Sequence, residues 1–163
     1  MIAVAVLGAV VAWARCYDPQ DLPASLFFTG CFSGAVTDPP VDGKLTIVFE
    51  KPPAPSELGA VTGCIQFSVE DQRGFAALAG SVEKAQEQAK LSGMPAGGGA
   101  PINLLVVRKP AGNAVATQVD VRNDGGAPFQ EAADLPLCER AVTCAELAAA
   151  LRQLTPQPVL ELP

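Results

Sequence analysis

Apolar and polar residues alternate with a period of two through the first half of the chain, the spacing of a strand with one buried face. Leu26 to Thr37 places Phe28, Gly30, Phe32, Gly34 and Val36 on one side and Thr29, Cys31, Ser33 and Thr37 on the other. Lys44 to Glu50 (KLTIVFE) forms a β-rich second strand, and Ala60 to Glu70 a third, with Val61, Ile65, Phe67 and Val69 on its apolar face. The segment between them, KPPAPSELG, is loop, because its prolines lack the N–H a ladder needs.

After Glu70 the spacing changes. Phe75, Leu78, Val82, Ala85 and Ala89 recur at three- and four-residue steps and predict a helix, with Asp71 as N-cap, Lys90 near the C-terminal end and Gly93 closing it. Met94 to Ala100 reads as a flexible link. Pro101 to Arg108 is apolar on both faces, as a central strand would be. Ala114 to Asn123 sets Val115, Thr117, Val119 and Val121 against Gln118, Asp120 and Arg122. With the turn-forming Lys109 to Asn113 between them, these two predict an antiparallel hairpin. Asp124 to Cys138 reads as loop. Thr143 and Glu146 form a capping box that opens a second helix, with Leu147, Leu151 and Leu154 inward and Pro156 as its stop. The order βββαββα over residues 26–155 predicts one α+β domain, an antiparallel or mixed sheet of about five strands with two helices on one face. Residues 15–25 are an extended lead-in and 156–163 a tail.

Met1 to Ala14 (MIAVAVLGAVVAWA) carries no charged side chain and, at about 1.5 Å per residue, is too short to span a bilayer as a helix. Ala12-Trp13-Ala14 matches the small-residue pattern of a signal-peptidase site, so the chain is expected to be exported: periplasmic, secreted or at the cell surface, with no stable membrane span in the mature form. A basic residue ahead of the apolar run is missing, which a truncated or misassigned start would explain. The competing reading is a buried strand or helix of a cytosolic fold. A lipoprotein signal acylated on Cys16 is disfavoured by Trp13 and Arg15, which are not the small residues such a site needs. The net charge of −6 and the lack of a basic stripe argue against a nucleic-acid partner, since Arg108-Lys109 is the only basic doublet.

Export makes the five cysteines informative. Thr29-Gly30-Cys31-Phe32 and Thr62-Gly63-Cys64-Ile65 echo each other, and both cysteines have the same parity in their strands. If those strands are neighbours, Cys31 and Cys64 can form a disulfide, and Cys138 with Cys144 makes the natural second pair. Cys16 is left free, intermolecular or lipidated.

Candidate chemistry is sparse. The chain has no histidine, the commonest general base and metal ligand, and no Cys-x-x-Cys pair. No metal or cofactor is expected. The three glycines of MPAGGGAP are followed by no Gly-Lys-Ser/Thr, and Ser33, Ser68 and Ser81 lack a base partner and a Gly-x-Ser-x-Gly elbow. Glu70 and Asp71 form the one adjacent carboxylate pair at a predicted strand end, with Arg73 or Arg122 as basic residues that could stand nearby. As catalysts they would share a concave pocket; as a helix cap, Glu70 would face solvent.

Residues 64–154 resemble the C-terminal part of the histidine acid phosphatase family. The matching pieces are Phe67 to Asp71, Phe75 to Ala85, PAGGGAPINLLVVRKPAGN, VDVRNDGGAPF and the cysteine-bearing LPLCERAVTCAELAAALRQL. The resemblance implies a strand, helix, hairpin and terminal helix in that order. Glu70 stands where the family's proton-donating region has His, only Asp71 matches, and the nucleophile motif with its arginines and histidine is nowhere in the chain. The likeness therefore implies a fragment or a catalytically dead relative rather than an enzyme. The residues themselves favour a non-enzymatic binding or structural domain acting on a protein or small-molecule partner.

Overall fold

The computed structural model describes residues 22–83, 87–111, 114–124 and 128–154. Among them run eight strands: β1 (Gly30–Ala35), β2 (Gly43–Glu50), β3 (Ala60–Val69), β4 (Gln72–Glu83), β5 (Gln88–Gly93), β6 (Ile102–Lys109), β7 (Gln118–Asn123) and β8 (Glu131–Pro136). Each pairs antiparallel with the next, in the order β1-β2-β3-β4-β5-β6-β7-β8. Among the described residues one α-helix, α1 (Cys144–Leu154), follows the strands, and one 3₁₀ turn (Ala24–Leu26) precedes β1.

The meander curls until its first and last strands meet. Phe32 bridges to Leu137 and Asp38 to Glu131. The Cys138 N–H donates to the Cys31 carbonyl at 2.8 Å, and the Thr37 N–H to the Glu131 carbonyl at 2.9 Å. The result is a nearly closed up-and-down barrel, a shape that removes the exposed edges of an open sheet. Inward positions fill it with one apolar cluster that includes Phe32, Leu45, Ile47, Ile65, Val106, Val119 and Leu135. Phe49 meets Phe28 and Phe32 edge-on at centroid distances of 5.5 and 6.0 Å. An eight-stranded barrel has an interior about wide enough for its own side chains, which is how this one is filled.

The mostly β fold corrects the α+β expectation of about five strands and two helices. The predicted helix after Asp71 is instead the hairpin β4–β5, so the helix that the phosphatase resemblance implies from Phe75 is a strand. The three- and four-residue spacing of Phe75, Leu78, Val82, Ala85 and Ala89 points to a helix, in a segment also rich in helix-forming Ala, Glu, Gln and Lys. Period-two positions were present as well: Gly74, Ala76 and Leu78 are buried on β4, and Ala89 and Leu91 on β5. Ladders on both sides decided between the two periods, with β3 pairing from Ala60↔Ser81 to Val69↔Gln72. Asp71 therefore caps no helix and sits in the β3–β4 turn. Residues 84–86, including Ala85, lie outside the described residues. So do the signal-like segment, Cys16 and Pro156.

β8 replaces part of the predicted 124–138 loop. It is bulged, with the register against β7 shifting between Val119 and Val121 and Asp134 at φ 53. That break hides the period-two signal. The β6–β7 hairpin pairs as predicted, while Val115, expected inward, is exposed. In α1, Leu147 is buried as expected, but Leu154 is exposed. Among the described residues no helix is long and apolar enough to cross a membrane.

The basic doublet is not a surface patch. Arg108 is 1% exposed and closes one end of the barrel. Its Nη1 donates to the carbonyls of Pro110 at 3.1 Å and Ala114 at 2.6 Å, and its guanidinium lies 5.0 Å from the centre of the Phe27 ring. Burial pushes its pKa down, with Glu87 opposing. Lys109 points outward between Asp120 and Asp134, 2.9 Å from each. Arg108→Ala is expected to cost about 2–3 kcal/mol in urea unfolding, because two carbonyls lose their donor and the barrel end opens. Arg108→Met, which keeps the bulk, should recover part of that loss. Equal costs for the two variants would show that the donors alone matter.

Candidate functional site

The outer face of β1–β4 is organised in rows by the strand register. Cys31, Val48 and Cys64 lie side by side, because Cys31 pairs with Val48 and Val48 with Cys64. One step of two residues along the strands brings Ser33, Thr46 and Gln66 into a second row, and the next step Lys44, Ser68 and Arg73 into a third. The first row is apolar and anchors cross-links, the second is uncharged and polar, and the third carries two cations.

The register also decides the disulfides. β2 separates Cys31 from Cys64, so two rungs of about 4.8 Å put their Cα atoms roughly 10 Å apart, beyond the reach of one bridge. The expected Cys31–Cys64 and Cys138–Cys144 pairs are therefore replaced by Cys31–Cys138 and Cys64–Cys144, with Cα separations of 5.3 and 5.7 Å. The same four cysteines are bonded, but each bridge now joins the barrel wall to the C-terminal arm. Parity was legible in the sequence; that β2 pairs between the two cysteine-bearing strands was not.

Leu147 packs on Val48 and the two wall cysteines, with Phe75, Val142 and the partner sulfurs around it. The helix start is built as the sequence predicts. The Thr143 N–H donates to Glu146 Oε2 at 2.7 Å, and the Glu146 N–H to Thr143 Oγ1 at 3.2 Å. Glu50, on β2, accepts the Cys144 N–H at 2.9 Å, so the barrel wall itself helps to cap α1. The Thr143 N–H holds the Glu146 carboxyl below its ordinary pKa, helped by Arg140 and the Thr143 hydroxyl. Because the folded value lies below the unfolded one, this contribution is complete above the ordinary carboxyl range and is lost as pH falls through the depressed folded value. Amide exchange in the first turn of α1 is therefore expected to quicken below about pH 4 relative to the barrel strands, and Glu146→Gln should flatten that dependence. An acid response unchanged in Glu146→Gln would assign it to other groups.

Between the wall and the arm lies a cleft of about 840 Å³. Its floor is the polar and basic rows: Ser33, Thr46, Gln66, Lys44, Ser68 and Arg73. Its roof includes Leu137, Val142, Leu147 and Leu154, with Glu139 and Arg140. A size of several hundred Å³, apolar walls and a few convergent polar groups are the ordinary makings of a small-ligand site. Ser33 Oγ donates to the Leu45 carbonyl at 3.2 Å and lies 2.8 Å from Thr46 Oγ1. Arg140 is engaged by Glu146 at 3.2 Å. Lys44 and Arg73 are exposed and form no ion pair with another described residue.

Glu70 and Asp71 fall elsewhere. They are exposed at the tip of the β3–β4 turn, Glu70 with φ 50, and line none of the three principal clefts. Arg73 belongs to the cleft instead, and Arg122 pairs with Glu131 at 3.4 Å across the β7–β8 ladder. Lys44 stands opposite Ser68 on the neighbouring strand and is exposed. The wet faces of β2 and β3 contained the signal for this cleft, as Lys44-x-Thr46 and Gln66-x-Ser68. Compared with known proteins, the chain matches no family model, and no curated protein or solved structure aligns with it significantly.

Proposed function

We propose that this protein is a non-enzymatic exported domain that binds a small ligand in the cleft between the β1–β4 wall and its C-terminal arm. The carrying observation is that both disulfides tie the arm to this wall, over a cleft of about 840 Å³ with a polar floor and an apolar roof. A barrel already held by eight laddered strands gains a preformed recess from these cross-links, and preorganisation lowers the ordering cost of binding. Two disulfides also suit an oxidising compartment, which supports export to the periplasm, the cell surface or the medium. Carboxylate catalysis by Glu70 and Asp71 has less behind it, since both residues stand in solvent outside the cleft.

A fragment screen on the oxidised, isotopically labelled protein tests this reading. Amide shifts are expected to cluster at Thr46, Gln66, Ser68 and Leu147, and to persist when Glu70→Gln and Asp71→Asn are combined. Shifts confined to other surfaces would overturn it. So would hydrolysis of a phosphate monoester such as p-nitrophenyl phosphate that the double variant abolishes.

A further inference from the structure

We infer that the cleft, read as the ligand site above, takes an anionic amphiphile: an oxyanion head group held by Lys44 and Arg73 across Ser68, with an apolar body under the arm. The register places Ser68 directly between the two cations, opposite Lys44 on β2 and Arg73 on β4. Their Cα atoms are thus about 10 Å apart on a common face, two rungs of the ladder. Long side chains rooted at that spacing can close on one anion from both sides, Arg73 through its fork and Lys44 as a point charge, with the Ser68 hydroxyl below. Two cations side by side with no carboxylate partner among the described residues form an unusual pair in a chain of net charge −6. Elsewhere, Lys90, Lys109, Arg122 and Arg140 each engage an acid, while Lys51 and Arg152, outside the cleft, form no ion pair with a described residue.

The other end of the cleft is built for hydrocarbon. Four residues along β2 separate Lys44 from Val48, about 13 Å at strand spacing. Leu147 covers Val48 there, beside both disulfides. Thr46 and Gln66 occupy the middle row. A ligand lying along β2 therefore meets cations first, then hydroxyl and amide groups, then Leu147, Val142 and Leu137. A neutral ligand would leave the cations unused, and a cationic one would be repelled.

Calorimetric titration of the oxidised protein with decanoate, decyl phosphate, decanol and decyltrimethylammonium tests the assignment. At least one of the two anions is expected to bind one-to-one, at least tenfold more tightly than the cation, and to weaken with added salt. The preference between carboxylate and phosphate identifies the head group. Combining Lys44→Gln with Arg73→Gln should weaken that anion at least tenfold and leave decanol unaffected. Lys51→Gln with Arg152→Gln changes the net charge equally outside the cleft and should have little effect. Equal losses in the two double variants, or anion and cation binding alike, would overturn the inference while leaving a ligand cleft in place. Failure of all four amphiphiles to bind, with fragment shifts still clustered in the cleft, would overturn it as well. The same failure with no fragment shifts there would remove the parent reading too.

Discussion

Removing the Cys31–Cys138 bridge, by Cys31→Ala with Cys138→Ala, is expected to lower stability by about 3–4 kcal/mol and the melting temperature by roughly 10 °C. The bridge joins residues 107 apart in sequence, so it closes a long loop and withdraws much conformational freedom from the unfolded chain. It also lies on the seam where β1 meets the chain following β8, beside the Cys138-to-Cys31 backbone hydrogen bond and the Phe32–Leu137 bridge. That seam has isolated bridges, where β1–β2 has a continuous ladder and β7–β8 a ladder with one bulge, so its backbone holds itself together least. The Cys64–Cys144 bridge spans 80 residues. Loop entropy alone makes the two almost equal, because the cost grows only with the logarithm of loop length. The seam should make the first the more costly to lose. Urea unfolding of the two double variants under non-reducing conditions measures the difference. A greater loss for the Cys64–Cys144 variant would show that arm docking outweighs barrel closure. Disulfide-linked peptide mapping supplies the direct check, and a Cys31–Cys64 peptide would reject the register.

Gly63→Ala is expected to cost about 3 kcal/mol, a large effect for a single added methyl. A Cβ at this position would run into the carbonyl of Val48 on β2, with the Phe49 backbone close behind. Neither can retreat, because β2 is laddered to β1 on its far side and β3 to β4. The space is missing because strands coil where the sheet closes into a barrel, bringing neighbouring backbones together on the concave side. Gly80 is in the same position on β4, where a Cβ would strike the Lys90 carbonyl of β5, and Gly80→Ala should behave alike. Thr62→Ala, which loses only an exposed hydrogen bond to the Glu50 carbonyl at 3.0 Å, is the control, with an expected cost of about 0.5 kcal/mol. If Gly63→Ala and Thr62→Ala cost the same, the two backbones at β2–β3 have room to separate.

Much of the fold was legible from period and punctuation. β1, β2, β3, β6 and β7 fall in the segments whose apolar pattern predicts strands, and the capping box of Thr143 and Glu146 opens α1. These elements declare themselves locally, through which neighbours along the chain are apolar and which side chain can reach an orphan N–H. β4 and β5 did not, because Ala-, Glu- and Gln-rich segments are good helix formers until two flanking strands claim their hydrogen bonds. β8 did not, because its bulge breaks the alternation. The candidate site was legible only in fragments. Ser33, Ser68 and Arg73 each stood out in the sequence, but for other reasons, and Glu70 and Asp71 drew attention to a turn that the cleft does not use.

The sequence by itself determined the inward faces of β1, β3 and β7, that Cys31, Cys64, Cys138 and Cys144 are bonded, and the absence of histidine chemistry. These follow from composition and from spacing along one element. Tertiary structure alone decided which cysteine meets which, and that Lys44, Ser68 and Arg73 form one row beneath a stapled arm. Those relations depend on strand order and register, which are set by the closing of the whole barrel. A slip of one residue would have turned every one of these side chains to the other face.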